Sequence, residues 1–404
     1  VKTNAPPRMR AVLRNGEFRT LWLAEAQSVA GDQLTTVAVA ITVYARTGSP
    51  LWAALAYAMT YLPALAGGLG LAQLADRYPR RTVLWSCAAA QAVVVAVMAV
   101  PGTPLVALVG LVVLARLFGA PANAAQNALT REVFTSDELY LRSQDLRGIT
   151  TNLAMLLGLI GAGALVTAIG VSWTLAIDAV TFAISAVAIR LRVARRDAAG
   201  NGDDPWFGAI RWVSGQRRLR VLLGLSWLVG FAMIPEGLAA PLAEEIGAPP
   251  EAVGWLLAAD PLGFILGVFL LSNYVRAEVR RRVIGVLAVV PNAILLIFAV
   301  DPGLVLALTA LALAGVAGAY IVTVGATFIT WVPNELRGGA GGLYRTGLRV
   351  TQGVGAALGG ALAQLAGSAT AAIAIGGALG VVLGIPLAVS WARARRGAEA
   401  DLTG

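Results

Sequence analysis

Apolar residues run through this chain in blocks bounded by charges, prolines or glycine turns. A hydrocarbon core roughly 30 Å thick needs about 20 residues of helix to cross it, and the blocks have that length. Twelve fit, near 18–45, 51–75, 82–100, 105–128, 148–170, 172–191, 219–241, 252–275, 283–300, 304–331, 340–367 and 369–391. Each predicts a membrane-spanning helix, so the fold class is all-α integral membrane. The first block follows Arg8, Arg10 and Arg14, is long and lacks a small-residue cleavage site, and so reads as a span rather than a cleaved signal. The longest hydrophilic stretch, Arg192 to Arg218, divides the spans six and six. The expected organisation is a tail (1–17), a six-helix bundle (18–191), a linker (192–218), a second six-helix bundle (219–391) and a tail (392–404).

The halves repeat one another. A slide of about 200 residues brings Pro63 beside Pro261, Arg80 and Arg81 beside Arg281 and Arg282, and Glu138-Leu139 beside Glu335-Leu336. The glycines Gly158, Gly161 and Gly163 fall beside Gly355, Gly359 and Gly360. A common offset across several features favours duplication over twelve unrelated spans, and paired bundles suit a binding site near the membrane midplane.

Composition agrees: 58% of the 404 residues are hydrophobic and 13% charged, too little polar surface for a soluble body of this size. The net charge of +9 could point to nucleic acid or to a membrane face until the charges are placed. Of 31 basic residues, 29 fall on one side of the twelve-span topology, Arg46 and Arg116 being the exceptions. Basic loops mark the cytoplasmic side, so both termini are expected there, in the plasma membrane of a bacterium, and no nucleic-acid partner is required. The absence of His excludes a Ser-His-Asp triad, an HExxH zinc helix and a His-ligated haem. Lys occurs only at position 2, which excludes a lysine-bearing phosphate loop, and Cys87 is a lone thiol in an apolar run. Neither a cofactor nor a metal is expected.

Phe18 to Leu84, with Gly31-Asp32, Thr47-Gly48-Ser49-Pro50, Pro63 and Ala75-Asp76-Arg77-Tyr78-Pro79-Arg80-Arg81, resembles the major facilitator superfamily, and Val332-Pro333-Asn334-Glu335-Leu336-Arg337-Gly338 is a further match. More narrowly, the chain is similar to the branch of enterobactin exporters and macrolide or multidrug efflux pumps. The resemblance implies two pseudo-symmetric six-helix bundles acting as a monomer, with the first, fourth, seventh and tenth spans around a central cavity. It also implies a cytoplasmic gate at Asp76, Arg77, Arg80 and Arg81. Ala72 and Pro79 depart from the usual pattern of that loop, and a topology signal with an incidental ion pair is the plain alternative. Leu159 stands where the antiporter pattern of the fifth span has Pro, leaving close helix packing as the other role for its glycines.

The first span carries Glu25, Ser28, Asp32, Thr35 and Thr36 at helical spacing, a polar stripe through hydrocarbon. Ionisable groups there are costly unless they face a partner or a wet cavity. The fourth span offers Arg116, Asn123 and Gln126, and a rise of about 1.5 Å per residue sets Arg116 level with Asp32. Asp32 first and Glu25 second are therefore the candidate proton carriers, with Arg116 as partner; a purely structural pairing of Asp32 with Arg116 is the alternative. Trp227, Met233, Glu236, Asp260, Tyr320, Thr323 and Thr327 complete the candidate substrate cavity, although some of these threonines could bond their own helix carbonyls. Asp178, on the sixth span, is peripheral by the resemblance and carries little weight.

These features together predict a secondary active efflux transporter, an antiporter exchanging protons for an amphiphilic, drug-like organic compound by alternating access, energised by the proton gradient. A dedicated exporter of a siderophore or other secondary metabolite is one alternative, and a non-transporting receptor or assembly protein of the same fold is another.

Overall fold

The computed structural model describes residues 12–61, 63, 77–134, 136–196 and 206–400. The described residues are helical, in the order α1 (Gly16–Thr47), α2 (Pro50–Ala58), α3 (Arg80–Met98), α4 (Leu105–Leu117), α5 (Gly119–Val133), α6 (Asp137–Ile169), α7 (Val171–Arg192), α8 (Trp206–Gly215), α9 (Arg217–Trp227), α10 (Val229–Ala232), α11 (Ile234–Gly237), α12 (Ala239–Glu245), α13 (Ala252–Tyr274), α14 (Ala277–Ile294), α15 (Leu304–Gly318), α16 (Tyr320–Thr330), α17 (Arg337–Ala366) and α18 (Ala369–Ala400). A short 3-10 turn, Leu295–Val300, prolongs α14.

Among the described residues, nine helical stretches are long and apolar enough to cross a membrane. Two other expected spans, α1 and α17, have 32 and 30 residues, ample for crossing, but carry internal charges such as Asp32 and Arg349. The second expected span lies partly outside the described residues. The sixth, α7, shows what solvent the helices are built for: Asp178, Phe182 and Ile189 are buried on one face, while Ile177, Val180, Ile184, Val187 and Leu191 are exposed on another. A bare aliphatic stripe of that length is stable against lipid and costly in water.

Three expected spans are interrupted. The fourth breaks at Phe118, where Pro121 has no N–H for the Leu117 carbonyl. The seventh is cut into α9, α10, α11 and α12, with Pro235 and Pro241 in the broken region, and the tenth breaks at Ala319 after Gly318. By contrast, α2 starts sharply, because the Ser49 hydroxyl caps the Trp52 N–H and Pro50 occupies the first turn.

Contacts divide the chain into two compact units, one of residues 1–39 with 66–202 and the other of 40–65 with 203–404. The linker at 192–218 is where the sequence pattern puts the division; by contacts, residues 40–65 group with the later residues. Small side chains account for that grouping. A Cβ on Gly360 would reach within 3.1 Å of Leu51 Cα, and one on Gly353 within 3.2 Å of the Ala58 carbonyl, so α17 can lie close along α2. Ser49 adds a hydrogen bond to Gln364 at 2.9 Å.

Each unit repeats the same internal packing. In the first, α7 lies along α3 and Gly158 of α6 sits against α1, where a Cβ would meet the Ala30 carbonyl at 2.7 Å. In the second, α18 lies along α14 and Gly355 of α17 sits against the backbone of Gly230 in α10. Gly170 and Gly367, at φ of 83° and 70°, form matching turns before α7 and α18. The cores are apolar: Leu21, Cys87, Leu129 and Ile189 meet in the first unit, and Leu222, Leu225, Ile284, Phe328 and Trp391 in the second.

Candidate functional site

The first unit gathers its polar side chains along α1. Arg116, in the last turn of α4 before the break, reaches α1 and forms an ion pair with Asp32 at 2.9 Å. Its other nitrogen donates to the Asp32 carbonyl at 2.7 Å and to the Thr36 hydroxyl at 2.6 Å. The guanidinium is thus held by two neutral oxygens as well as by the carboxylate. The pair is not sealed, its side chains being 19% and 28% exposed. Asp32 opens onto a cavity of about 100 Å³ whose wall includes Glu25, Ser28, Gln91, Asn123 and Gln126. Gln126 also donates to the Leu21 carbonyl at 2.9 Å, fixing α5 to α1.

Glu25 takes a different cation. Arg147 of α6 binds it with two hydrogen bonds of 2.6 Å, and the same guanidinium reaches Asn127 and Gln144 at 2.9 and 2.8 Å. Sequence reasoning counted Arg147 among the orientation charges, because it placed the start of the fifth span at 148. The helix begins at Asp137, so Arg147 stands almost three turns inside it.

Asp178 is the second residue whose weight the structure changes. Expected at the periphery, it is completely buried against α1, where the Thr35 hydroxyl donates to its Oδ2 at 2.9 Å. Gly31 makes room for it, since a Cβ there would overlap Oδ1. Along α7, Thr181 and Ser185 continue the polar face, and Gln27 of α1 bonds both at 2.6 Å. The spacing of 178, 181 and 185 was a legible helical stripe.

At the end of this unit that carries the expected gate, Asp76 lies outside the described residues and Arg77 is exposed. Arg80 pairs with Glu132 of α5, and Arg81 donates to the Arg190 carbonyl at 2.5 Å. Arg196 grips Glu17 with bonds of 2.5 and 2.9 Å and lies 3.5 Å from Glu132. Glu17, Glu132 and Arg196 were not singled out from the sequence; surface-like charges at helix ends give no signal of their own.

In the second unit the residues expected around the substrate cavity have separate engagements. Glu236 accepts a hydrogen bond from Tyr57, whose hydroxyl lies 3.2 Å from that of Tyr61, and Arg349 stands 5.9 Å over the Tyr61 ring. Asp260 precedes Pro261 in α13, and its carbonyl packs on Gly315. Met233 is buried at the α10–α11 break, while Trp227 ends α9 half-exposed, its indole nitrogen against Gly347. Tyr320 donates to the Leu225 carbonyl at 2.7 Å, and Thr327 donates to that of Thr323 at 2.7 Å. Those two hydroxyls are therefore spent on backbone. Outside the membrane-spanning segments, Glu245 caps the start of α18. Burial raises its pKa, but hydrogen bonds from Ser368, Thr370 and the Ala369 and Thr370 N–H groups outweigh it and hold the carboxyl below its ordinary value.

No curated protein matches the chain in sequence. Among solved structures, the nucleoside transporter NupG is similar over 93% of this chain and 99% of its own, with a TM-score of 0.72 at 16% identity. A bacterial homolog of the human lysosomal transporter Spinster, inward-facing and unoccupied, is similar over 97% and 98%, with a TM-score of 0.71 at 15% identity. A POT family transporter in complex with 5-aminolevulinic acid is similar over 92% and 95%, with a TM-score of 0.70 at 9% identity. At these identities the likeness is one of fold. The sequence pattern of the Major Facilitator Superfamily matches residues 21–238 and 222–403. With that pattern over both halves, and the same helix pairings repeated in each unit, the chain belongs to the major facilitator superfamily, as an all-α membrane protein with a transporter fold.

Proposed function

We propose that this protein is a secondary active exporter that exchanges inward-moving protons for an outward-moving amphiphilic organic molecule, drug-like in size. The observation that carries the reading is the Asp32–Arg116 pair, whose carboxylate lies at the edge of a cavity of mixed polar and apolar lining. A carboxylate that opens to a cavity can take and lose a proton, and Arg116 stays anchored by the Asp32 carbonyl and Thr36 when the carboxylate charge is gone. The pair can therefore break and reform without setting a guanidinium adrift in a low-dielectric interior. Glu25, already held by Arg147, ranks second as a carrier. Ser28, Asn123 and Gln126 supply a neutral polar wall suited to a semi-polar cargo. Alternating access by two six-helix bundles would convert the proton's passage into cargo movement. The branch of enterobactin exporters and macrolide pumps fits this direction of transport. The solved relatives in fold include transporters named for small organic solutes, a nucleoside transporter and one holding 5-aminolevulinic acid. On this reading the protein acts as a monomer in the bacterial plasma membrane, both termini cytoplasmic, with the proton gradient as its energy source.

The test is reconstitution into liposomes with an imposed pH gradient and ethidium as the probe. Wild type should move the dye with the gradient, and Asp32→Asn should lose the gradient response. Dye movement that ignores the gradient in wild type would defeat proton coupling.

A further inference from the structure

Asp178 is a fully buried carboxyl for which the proton cycle above has no use. Its Oδ2 accepts from Thr35, its Oδ1 accepts from nothing among the described residues, and the neighbouring Thr181 hydroxyl donates instead to the Asp178 backbone carbonyl. A buried polar group in that condition needs an explanation.

The charges around it narrow the choice. On α1 the ionisable neighbours are Glu25, paired with Arg147, and Asp32, paired with Arg116. Helix α3 contributes Arg80, paired with Glu132, Arg81, bound at the Arg190 carbonyl, and Cys87, buried among Leu21, Leu84 and Leu129. Arg190 is twelve residues beyond Asp178 on α7, about 18 Å along the helix. The charges of α6 all lie at or before Arg147, and none follows as far as Ile169. Among the described residues, then, Arg116 is the nearest cation, and it is already engaged by Asp32. With both carboxyls ionised, Asp32, Asp178 and Arg116 sum to one negative charge in a low-dielectric interior; with one proton added, they sum to zero.

We propose that Asp178 is a second proton-binding site, holding a proton while Asp32 is ionised and paired with Arg116. When Asp32 takes up a proton, Arg116 becomes the available counter-charge and the Asp178 proton can leave. The step forms one O–H bond, breaks another, and needs no further reactant. A metal ion is a poor substitute: Gly31 is packed against the carboxyl, and among the described residues no group of three or more His, Cys, Asp or Glu side chains gathers to hold one. A proton needs no such room. The hydrogen-bonded seam of Gln27, Thr181 and Ser185 runs from the cavity wall, which Gln27 and Ser185 line, toward Asp178.

This inference rests on the proton-coupled reading, yet its test needs no cargo. Infrared difference spectra of the full chain in lipid nanodiscs, recorded across pH, should show the carbonyl stretch of a protonated buried carboxyl that disappears as pH rises. Asp178→Asn should lose that band, and Asp145→Asn, an exposed position, should keep it. Thr35→Val keeps the acid but removes its hydrogen bond, so the band should move in frequency; this variant decides the matter if Asp178→Asn does not fold. Absence of the band in wild type, its survival in Asp178→Asn, or an unmoved band in Thr35→Val would overturn the proposal. Gradient-driven ethidium movement in wild type without the band sinks this inference alone, whereas the band without gradient-driven movement sinks the exporter reading and leaves the proton site.

Discussion

Replacing Arg147 with Met should be among the most destabilising single changes in the first unit. The substitution keeps most of the side-chain volume and removes the guanidinium, leaving Glu25 with no cation. Arg147 and Glu25 are only 7% and 12% exposed, and two bonds of 2.6 Å join them. At an effective dielectric of about 20, opposite charges about 4 Å apart attract by about 4 kcal/mol. Removing one member of a buried pair costs about 3–5 kcal/mol, because the survivor stays desolvated. The double variant Glu25→Gln with Arg147→Met leaves no stranded charge and should recover up to about 3 kcal/mol relative to the sum of the single changes. Cys87 provides the assay, being a lone, buried thiol that becomes reactive toward a maleimide fluorophore as the protein unfolds. Thermal and denaturant unfolding followed at this thiol in detergent should rank Arg147→Met well below the double variant. Strict additivity, or an Arg147→Met protein within about 1 kcal/mol of wild type, would refute the view that this pair braces α1 against α6.

Three further outcomes are expected. Gly355→Ala would drive a methyl into the Gly230 backbone and should cost about 1–3 kcal/mol or abolish folding, whereas Gly161→Ala, which meets nothing within 4 Å, should be neutral or slightly stabilising in the same thiol assay. Tyr320→Phe strands the buried Leu225 carbonyl and should cost about 1–3 kcal/mol; unchanged stability together with altered dye affinity would return Tyr320 to the cargo wall. Because the folded pKa of Glu245 is depressed, its capping contribution is present above its ordinary value near 4.5 and is lost as pH falls through the lower folded value. Glu245→Gln should therefore be less stable at neutral pH and show a shallower loss of stability on acidification. Parallel acid profiles for the two proteins would contradict that.

Much of this architecture was legible without coordinates. Spans declare themselves through length and apolar content, and eleven of the twelve expected spans coincide with described helices or broken helical stretches, the second being only partly described. The offset of the glycine ladders foretold that Gly158 and Gly355 do the same job in the two units. The Asp32–Arg116 pairing followed from equal depth on two polar-striped spans, since charges in hydrocarbon have few affordable partners. The partner of Glu25 did not follow, because an error of about three turns in the start of α6 hid Arg147 among the surface cations.

What the sequence alone determined is therefore one-dimensional: which segments cross, which half repeats which, and which charges sit too deep to be idle. Tertiary structure decided the lateral questions of who faces whom. Asp178 read as peripheral because the resemblance puts the sixth span outside the central ring, and that says nothing of which way a side chain on the span faces; the packing of α7 on α1 through Gly31 turns it inward. The hydroxyls of Tyr320 and Thr327 read as cargo contacts for the converse reason, since a polar side chain in a membrane helix can serve either a cavity or a backbone carbonyl. Only the structure puts these two hydroxyls on the carbonyls of Leu225 and Thr323.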